Sequence, residues 1–342
     1  MSLATTVAAV LFLGVIAYAV FAGADFGCGI WDLTAGDAER GGALRARIDH
    51  SIGPVWEANH VWLIFVLVFL WTGFPRAFVG IFTTLVAPLA FAVAGIVLRG
   101  SAFAFRKFAP TVAQARIFGS MFALSSVLTP FFLGAISGAI AAGRVGYEPG
   151  DPWRSGTHPA SYIGGTLAVV TCAFLAATFL AADAMRDGED ALAEACRRRA
   201  VGSGLVAGAV ALACVLPLRH DAPRLFDGLT HRALPVVMLS AVGGGASLVL
   251  LWRRRYEFAR VTAFVAVASV VAGWGVAQYP DFLPGTATID QAAGARAALV
   301  GLLVVFGLAV VTVVPSLAYL FSMSRSGAST GTTHPLPPRR RP

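Results

Sequence analysis

One stretch decides the class of fold: residues 53–71 read GPVWEANHVWLIFVLVFLW. It opens with glycine and proline, and after Glu57 and His60 it continues as an unbroken series of aliphatic and aromatic side chains. An apolar run of about 20 residues has the length of a helix that crosses a bilayer. The stretch therefore predicts a membrane-spanning helix with a carboxylate and an imidazole in its first two turns.

The whole chain has the composition of a membrane protein. Of its 342 residues, 57% are hydrophobic and only 13% are charged, and the mean hydropathy is +0.74. Soluble domains carry about twice that share of charged residues. Apolar runs between charges predict an all-α, polytopic membrane protein with about nine transmembrane helices, over residues 3–24, 53–74, 77–98, 117–142, 160–182, 200–218, 233–252, 259–277 and 297–323.

The basic residues orient these helices. Nineteen of the 26 lysines and arginines fall on one side of the predicted spans. Because cytoplasmic loops are enriched in Lys and Arg, we expect the N-terminus outside and the C-terminus inside. The net charge of +8 then reflects topology and attraction to anionic membrane lipid. The sequence has no basic patch with interleaved aromatic residues, which a nucleic-acid-binding surface would show. Residues 1–323 form the predicted transmembrane domain, and residues 324–342 a disordered basic cytoplasmic tail.

Few ionisable residues fall inside the predicted spans, and such residues commonly mark a pathway. Asp25 closes the first predicted helix, and Glu57 and His60 lie three residues apart, on one face of the second. A partly buried carboxylate beside an imidazole can exchange protons near neutral pH. The alternatives are that Glu57 caps its helix, that His60 is an interfacial histidine and that Asp25 is a turn residue.

Two further charged residues have simpler interpretations. Arg99 ends the third predicted helix, where its side chain can extend to the lipid headgroups. Asp183, at the inner end of the fifth, is expected to be solvated.

Metal and haem sites need several His, Met, Cys or carboxylate side chains brought together inside the bundle. Apart from His60, the histidines fall in predicted loops or the tail, and the four cysteines form no Cys-x-x-Cys pair. Phosphate-binding glycine loops and zinc motifs are also missing from the sequence. We therefore expect no cofactor in this chain, and ligation of haem by His60 alone is the less favoured alternative.

Four segments resemble one known family. They are residues 22–29 (AGADFGCG), 53–63 (GPVWEANHVWL), 99–106 and 277–284 (AQYPDFLP). The chain resembles subunit II of the cytochrome bd-type quinol oxidases over nearly all its length up to the tail, and the string around Glu57 is the most specific part of the match.

The resemblance implies two four-helix bundles plus one extra helix in the cytoplasmic (inner) membrane of a bacterium. It implies a partner, the haem-carrying subunit I, which holds b- and d-type haems, oxidises quinol and reduces dioxygen to water. In that picture this haem-free subunit is not active alone, and supplies a cytoplasmic proton entry at Asp25 and Glu57. The sequence leaves open whether a small single-helix accessory subunit joins the complex, and whether a structural quinone or lipid binds here.

Three positions depart from the family pattern: Ala22 replaces a frequent second acid, Ala24 a bulky residue, and His60 an amide or acid. Which acid dominates proton uptake is therefore open. A proton-coupled transporter that uses Asp25, Glu57 and His60 is the alternative function. It is less favoured because transporters often have paired broken helices, and here only Thr129-Pro130, in the fourth predicted span, offers an obvious break in the middle of a helix.

Overall fold

The computed structural model describes residues 2–36, 38–52, 56–106 and 111–327. The helices are α1 (Leu3–Leu33), α2 (Ala38–Ile52), α3 (Trp56–Gly73), α4 (Pro75–Thr84), α5 (Val86–Arg106), α6 (Val112–Ala141), α7 (Pro159–Arg186), α8 (Asp190–Ala213), α9 (Val215–Asp221), α10 (Pro223–Thr230), α11 (Leu234–Trp252), α12 (Tyr256–Gln278), α13 (Ile289–Ala292) and α14 (Arg296–Gly327). Strands β1 (Asp281–Leu283) and β2 (Ala287–Thr288) form a short antiparallel hairpin between α12 and α13. The all-α prediction is confirmed, with this hairpin as its one small addition among the described residues.

Seven helical segments of the described part are long and apolar enough to span a membrane: α1, α5, α6, α7, α8 continued by α9, α11 and α12. An eighth is formed if α3 and α4, which meet at an angle of 116°, count as one broken span. In α14 the apolar segment Arg296–Thr312 is shorter than these seven and does not reach the length of a span. The chain is therefore a multi-pass membrane protein, and the count of nine spans stays a prediction.

The long helices form two groups. In the first, α1 contacts α3 and α6, and α6 contacts α5. In the second, contacts run from α7 to α8, α8 to α11, α11 to α12 and back to α7. Helix α7 also packs against α1 and α6, and α14 lies on α1 and α3. The all-α, multi-pass part of the expectation is met, and the division into two four-helix bundles plus one extra helix stays a prediction.

Glycines allow α7 to approach α1 and α6 closely. A Cβ atom added at Gly27 would lie 1.9 Å from the carbonyl oxygen of Cys172, and one at Gly134 would lie 2.3 Å from that of Gly164. Small residues at such contacts are typical of membrane helices, because lipid supplies no hydrophobic force between them and packing must stabilise the pair. The glycines therefore determine where the two groups join.

Two predicted helix ends were wrong, and both errors concern charged residues. Helix α1 continues to Leu33, so Asp25 lies inside it, eight residues before its end. The glycine-rich segment after Asp25 stays helical because its glycines face neighbouring helices: Gly27 meets α7, and Gly29 meets Ser126 of α6.

The third predicted span, residues 77–98, is divided between α4 and α5. Pro75 and Pro88 each fall in the first turn of a helix, where a missing N–H costs nothing. Arg99 therefore lies inside α5, seven residues before its end, and does not terminate a helix.

Helix α2 was not predicted, because its sequence, AERGGALRARIDHSI, is polar and too short to span. Leu44 and Ile48 are nevertheless buried against the bundle. The predicted tail begins inside α14, which reaches Gly327, and residues 328–342 lie outside the described part of the chain.

We expect Gly27→Ala to destabilise the protein, because the added Cβ has no space against Cys172. Overpacking of this kind costs about 1–3 kcal/mol. The thermal unfolding midpoint in detergent should fall accordingly. Gly202→Ala in α8 is the matched control, since nothing lies within 4 Å of its Cβ position. Equal midpoints for the two variants would contradict the proposed α1–α7 contact.

Candidate functional site

Asp25 forms a buried ion pair with Arg99. The Oδ1 atom of Asp25 accepts a hydrogen bond from Nη2 of Arg99 at 2.5 Å, and the same nitrogen donates to the carbonyl oxygen of Asp25 at 2.9 Å. The exposed fractions of the two side chains are 3% and 4%. The pair joins α1 to α5 across 74 positions of sequence.

Other groups surround the guanidinium of Arg99. Its Nη1 donates to Oγ of Ser126 in α6. Its central carbon lies 5.0 Å from the ring centroid of Phe26 and 4.4 Å from that of Phe122, close enough for cation–π attraction. A buried charge is tolerated only when it is paired and its hydrogen bonds are satisfied. These contacts pair the guanidinium of Arg99 on several sides, which allows it to be buried in the bundle.

The structure corrects two expectations about charged residues. Arg99 does not extend to the headgroups, because it is held by Asp25 and Ser126 inside the bundle. Asp183 is not simply solvated: its carboxylate accepts hydrogen bonds from Ser51 at 3.3 Å and from Arg260 at 3.0 Å.

The beginning of α3 lies at the depth of Asp25. Nδ2 of Asn59 donates to the carbonyl oxygen of Phe21 at 3.4 Å, and the rings of Phe21 and Trp62 stack with centroids 6.4 Å apart. Helices α1 and α3 run antiparallel, since Gly14 meets Phe65 further along. Asp25 follows Phe21 by four residues, which is about 6 Å along the axis of α1 at a rise of about 1.5 Å per residue. Because α3 runs the other way, this distance places Asp25 level with the first turn of α3.

The other two predicted site residues belong to this turn and the next. Glu57 is the second residue of α3, and its side chain lies outside the described part of the structure. His60 follows in the same helix and is half-buried. The backbone thus brings the three predicted positions to the same end of α1 and α3, and the contacts with Arg99 define the geometry of the Asp25 side chain.

A second buried carboxylate was missed by sequence reasoning. Asp32, with a side chain only 4% exposed, accepts hydrogen bonds from Nε of Arg45 at 2.7 Å and from Nη1 of Arg106 at 2.6 Å. It connects the end of α1 to α2 and to the end of α5. The available signal was the position of Asp32 seven residues after Asp25, which places both on nearly the same face of a continued helix.

Helix α2 is held by a further set of ion pairs. Arg47, whose side chain is 6% exposed, contacts Asp187 at 2.5 Å and Glu189 at 2.7 Å in the turn between α7 and α8. The hydrogen bond from Arg47 lowers the pKa of Asp187 below its usual value of 3.8. We call the ion pairs of Arg45, Arg47 and Asp32 the α2 clamp. It fixes the helix that precedes Glu57.

Metal ligation finds no geometric support in the described part of the chain. No three His, Cys, Asp or Glu side chains among those residues gather closely enough to hold an ion.

Arg99→Met should be strongly destabilising, because it leaves the carboxylate of Asp25 buried and unpaired. Breaking one side of a buried pair costs about 3–5 kcal/mol, which a lower unfolding midpoint and a reduced yield of folded protein would report. Replacement of both partners, Arg99→Met with Asp25→Leu, should recover most of the loss. If the double variant is no more stable than Arg99→Met alone, the two side chains are not coupled as described.

The α2 clamp predicts a specific pH dependence. Because the pKa of Asp187 is lowered in the folded protein, its contact stabilises the fold above the ordinary value of 3.8 and is lost as the pH falls below it. The unfolding midpoint of Asp187→Asn should therefore lie below that of the unmodified protein from neutral pH down to about pH 5, and the gap should close at more acidic pH. A difference in unfolding midpoint that stays constant through the acidic range would contradict a stabilising contact between Arg47 and ionised Asp187.

Comparison with known proteins gives matches to one family. The family model described as cytochrome bd terminal oxidase subunit II matches residues 3–324. The chain is similar to the cytochrome bd ubiquinol oxidase subunit 2 of Bacillus subtilis (strain 168), with 28% identity over 128 residues. That match spans 37% of this chain and only 36% of the relative's length.

A solved structure extends the likeness to the fold. The chain is similar to a chain in the structure of the bd oxidase from Geobacillus thermodenitrificans, with a TM-score of 0.74 and 24% identity. The match covers 94% of this chain and 98% of that one. The two chains share a fold, and the family model accounts for nearly every described residue. The chain belongs to the cytochrome bd terminal oxidase subunit II family.

Proposed function

We propose that this chain is the haem-free subunit of a bacterial quinol oxidase complex, which oxidises quinol and reduces dioxygen to water. The observation that carries the proposal is the family match across residues 3–324, together with a fold shared with a bd oxidase chain. The relatives' names associate this fold with bd-type oxidases. In this proposal the chain packs against a haem-bearing subunit I in the inner membrane and is inactive alone.

The b- and d-type haems are assigned to the partner subunit. They supply the electron transfer and oxygen chemistry of the complex. Haem would need His, Met or Cys ligands facing it from the bundle interior. Cys28 and Cys172 are buried near Asp25, but the groups in contact with the Asp25–Arg99 pair are a hydroxyl and aromatic rings. The residues of this chain therefore bind, orient and move protons in the proposal, and none is assigned as a haem ligand.

We further propose that Asp25, Glu57 and His60 form a proton entry from the cytoplasm. Reduction of dioxygen to water consumes protons, and a buried reaction centre needs polar groups to deliver them. Glu57 and His60, at the start of α3, would accept protons from water at the inner surface. The ion pair of Asp25 uses Oδ1 and leaves Oδ2 without a partner among the described residues. In the proposal Oδ2 is the acceptor further inside.

The orientation in this proposal follows from the basic residues. Residues assigned to the inner side contact each other in space, as in the pairs of Arg47 with Asp187 and of Arg186 with Glu257. At the opposite end, Arg144 pairs with Asp221. This segregation supports one set of loops facing the cytoplasm.

The transporter alternative has less support. Helix α6 continues through Pro130 without a break, although the bend between α3 and α4 does interrupt one span. A transporter of the expected kind would need a second, corresponding broken helix. Together with the family match, this favours the oxidase subunit.

Purification of the tagged chain in mild detergent from its native host tests the complex. We expect a second, larger polypeptide and visible bands of reduced b- and d-type haem. A colourless chain without that partner would contradict the proposal and favour the transporter.

For the proton entry, we expect Glu57→Ala to lower quinol-driven oxygen consumption about tenfold or more while haem content is unchanged, because proton-transfer groups contribute at least that much. Glu57→Asp should retain part of the activity. Glu148→Ala, which removes a carboxylate from the loop at the other end of the bundle, is the matched control. Unchanged turnover in Glu57→Ala would make the residue structural, and loss of haem would indicate an assembly role.

A further inference from the structure

The loop between α6 and α7 lines an open pocket at the end of the bundle opposite the α2 clamp. Its volume is about 420 Å³, and its lining residues are Arg144, Arg154, Ser155, Thr157 and His158. We call it the α6–α7 pocket. Two guanidinium groups, an imidazole and the hydroxyl of Ser155 are able to donate hydrogen bonds to an anion.

Arg144 is held in place at one wall of the pocket. Its Nη2 atom contacts Oδ1 of Asp221 at 3.1 Å, and Oδ2 of Asp221 accepts the backbone N–H of Ala160 at 2.8 Å. Both oxygens of Asp221 are therefore engaged. The contact uses one nitrogen of Arg144, and Nε and Nη1 remain as donors.

Arg154 faces the pocket from a well-defined turn. Oδ1 of Asp151 accepts the backbone N–H groups of Trp153 and Arg154, both at 2.9 Å. The hydroxyl of Thr157 donates to the carbonyl oxygen of Trp153 at 2.8 Å. These bonds order the backbone, while the guanidinium of Arg154 forms no ion pair within the part of the chain that the structure describes. An arginine with a fixed backbone and an unused guanidinium is suited to phosphate, which it can bind through two parallel hydrogen bonds.

An exposed aromatic surface begins beside this basic pocket. Trp153, next to Arg154, is 63% exposed, and its ring centroid lies 6.4 Å from that of Phe91 on α5. Phe91 is 46% exposed and stacks on Phe132 of α6 at 4.9 Å. Trp153 lies in the loop between α6 and α7, next to these apolar rings, and tryptophan is enriched at the membrane–water interface. The pocket therefore borders the surface along which acyl chains run.

We propose that the α6–α7 pocket binds the phosphate of an anionic phospholipid, whose acyl chains lie along Phe91 and Phe132. The basic groups alone fit any phosphate. The neighbouring exposed aromatic rings favour a phosphate that is attached to hydrocarbon, because a free ion gains nothing from them.

The test measures lipid retention by the purified complex. Delipidated complex is incubated with phosphatidylglycerol, phosphatidylcholine or inorganic phosphate, and bound molecules are counted by native mass spectrometry. We expect phosphatidylglycerol to bind in preference to phosphatidylcholine. Arg154→Gln should weaken its binding about fivefold, the effect of one arginine near a lipid headgroup. Arg154→Lys should restore part of the affinity.

Arg296→Gln is the matched control, because it removes an exposed arginine elsewhere, at the start of α14, and should leave lipid binding unchanged. Equal retention of phosphatidylglycerol by Arg154→Gln and the unmodified complex would overturn the proposal. So would binding of inorganic phosphate that depends on Arg154 when phosphatidylglycerol binding does not.

Discussion

A charge placed among hydrocarbon must be neutralised nearby, and the pairing of Asp25 with Arg99 meets this requirement at the centre of the first helix group. The pair joins α1 to α5, and Ser126 connects it to α6. Because neither charge can be left alone at low cost, the positions of these three helices are coupled. The close contact of α1 with α7 at Gly27 then transmits the position of the pair to the second group. The depth of the proposed proton entry is fixed by the same side chains.

Hydropathy was sufficient to predict the class of fold, because each long apolar run in a bilayer has essentially one structural solution, a helix. The ends of the helices were harder to predict. The segment around Gly27 and Gly29 has the composition of a turn, yet it is helical because neighbouring helices occupy the space that side chains would have taken. The polar helix α2 could not be recognised from hydropathy, since ion pairs to distant parts of the chain hold it in place.

The candidate site was predicted in part. Asp25, Glu57 and His60 were identified because ionisable residues in apolar spans are rare, and the backbone places all three at one end of α1 and α3. The role of Arg99 was missed, because a partner 74 residues away in sequence leaves no local pattern. Two opposite charges at similar depth in separate spans were the available signal. Asp32 was missed for a related reason: the predicted end of α1 had already placed it outside the membrane.

The unequal lengths of α1 and α3 have a consequence for the surrounding bilayer. Helix α3 has 18 residues and is about 27 Å long, whereas α1 has 31 residues and is about 46 Å long. The chain turns by 116° after α3, so α4 does not prolong it across the membrane. A hydrocarbon layer about 30 Å thick is slightly thicker than the α3 side of the protein. Within its described range α3 is therefore short for this layer, and a hydrophobic mismatch of this kind favours burial of that side against another polypeptide.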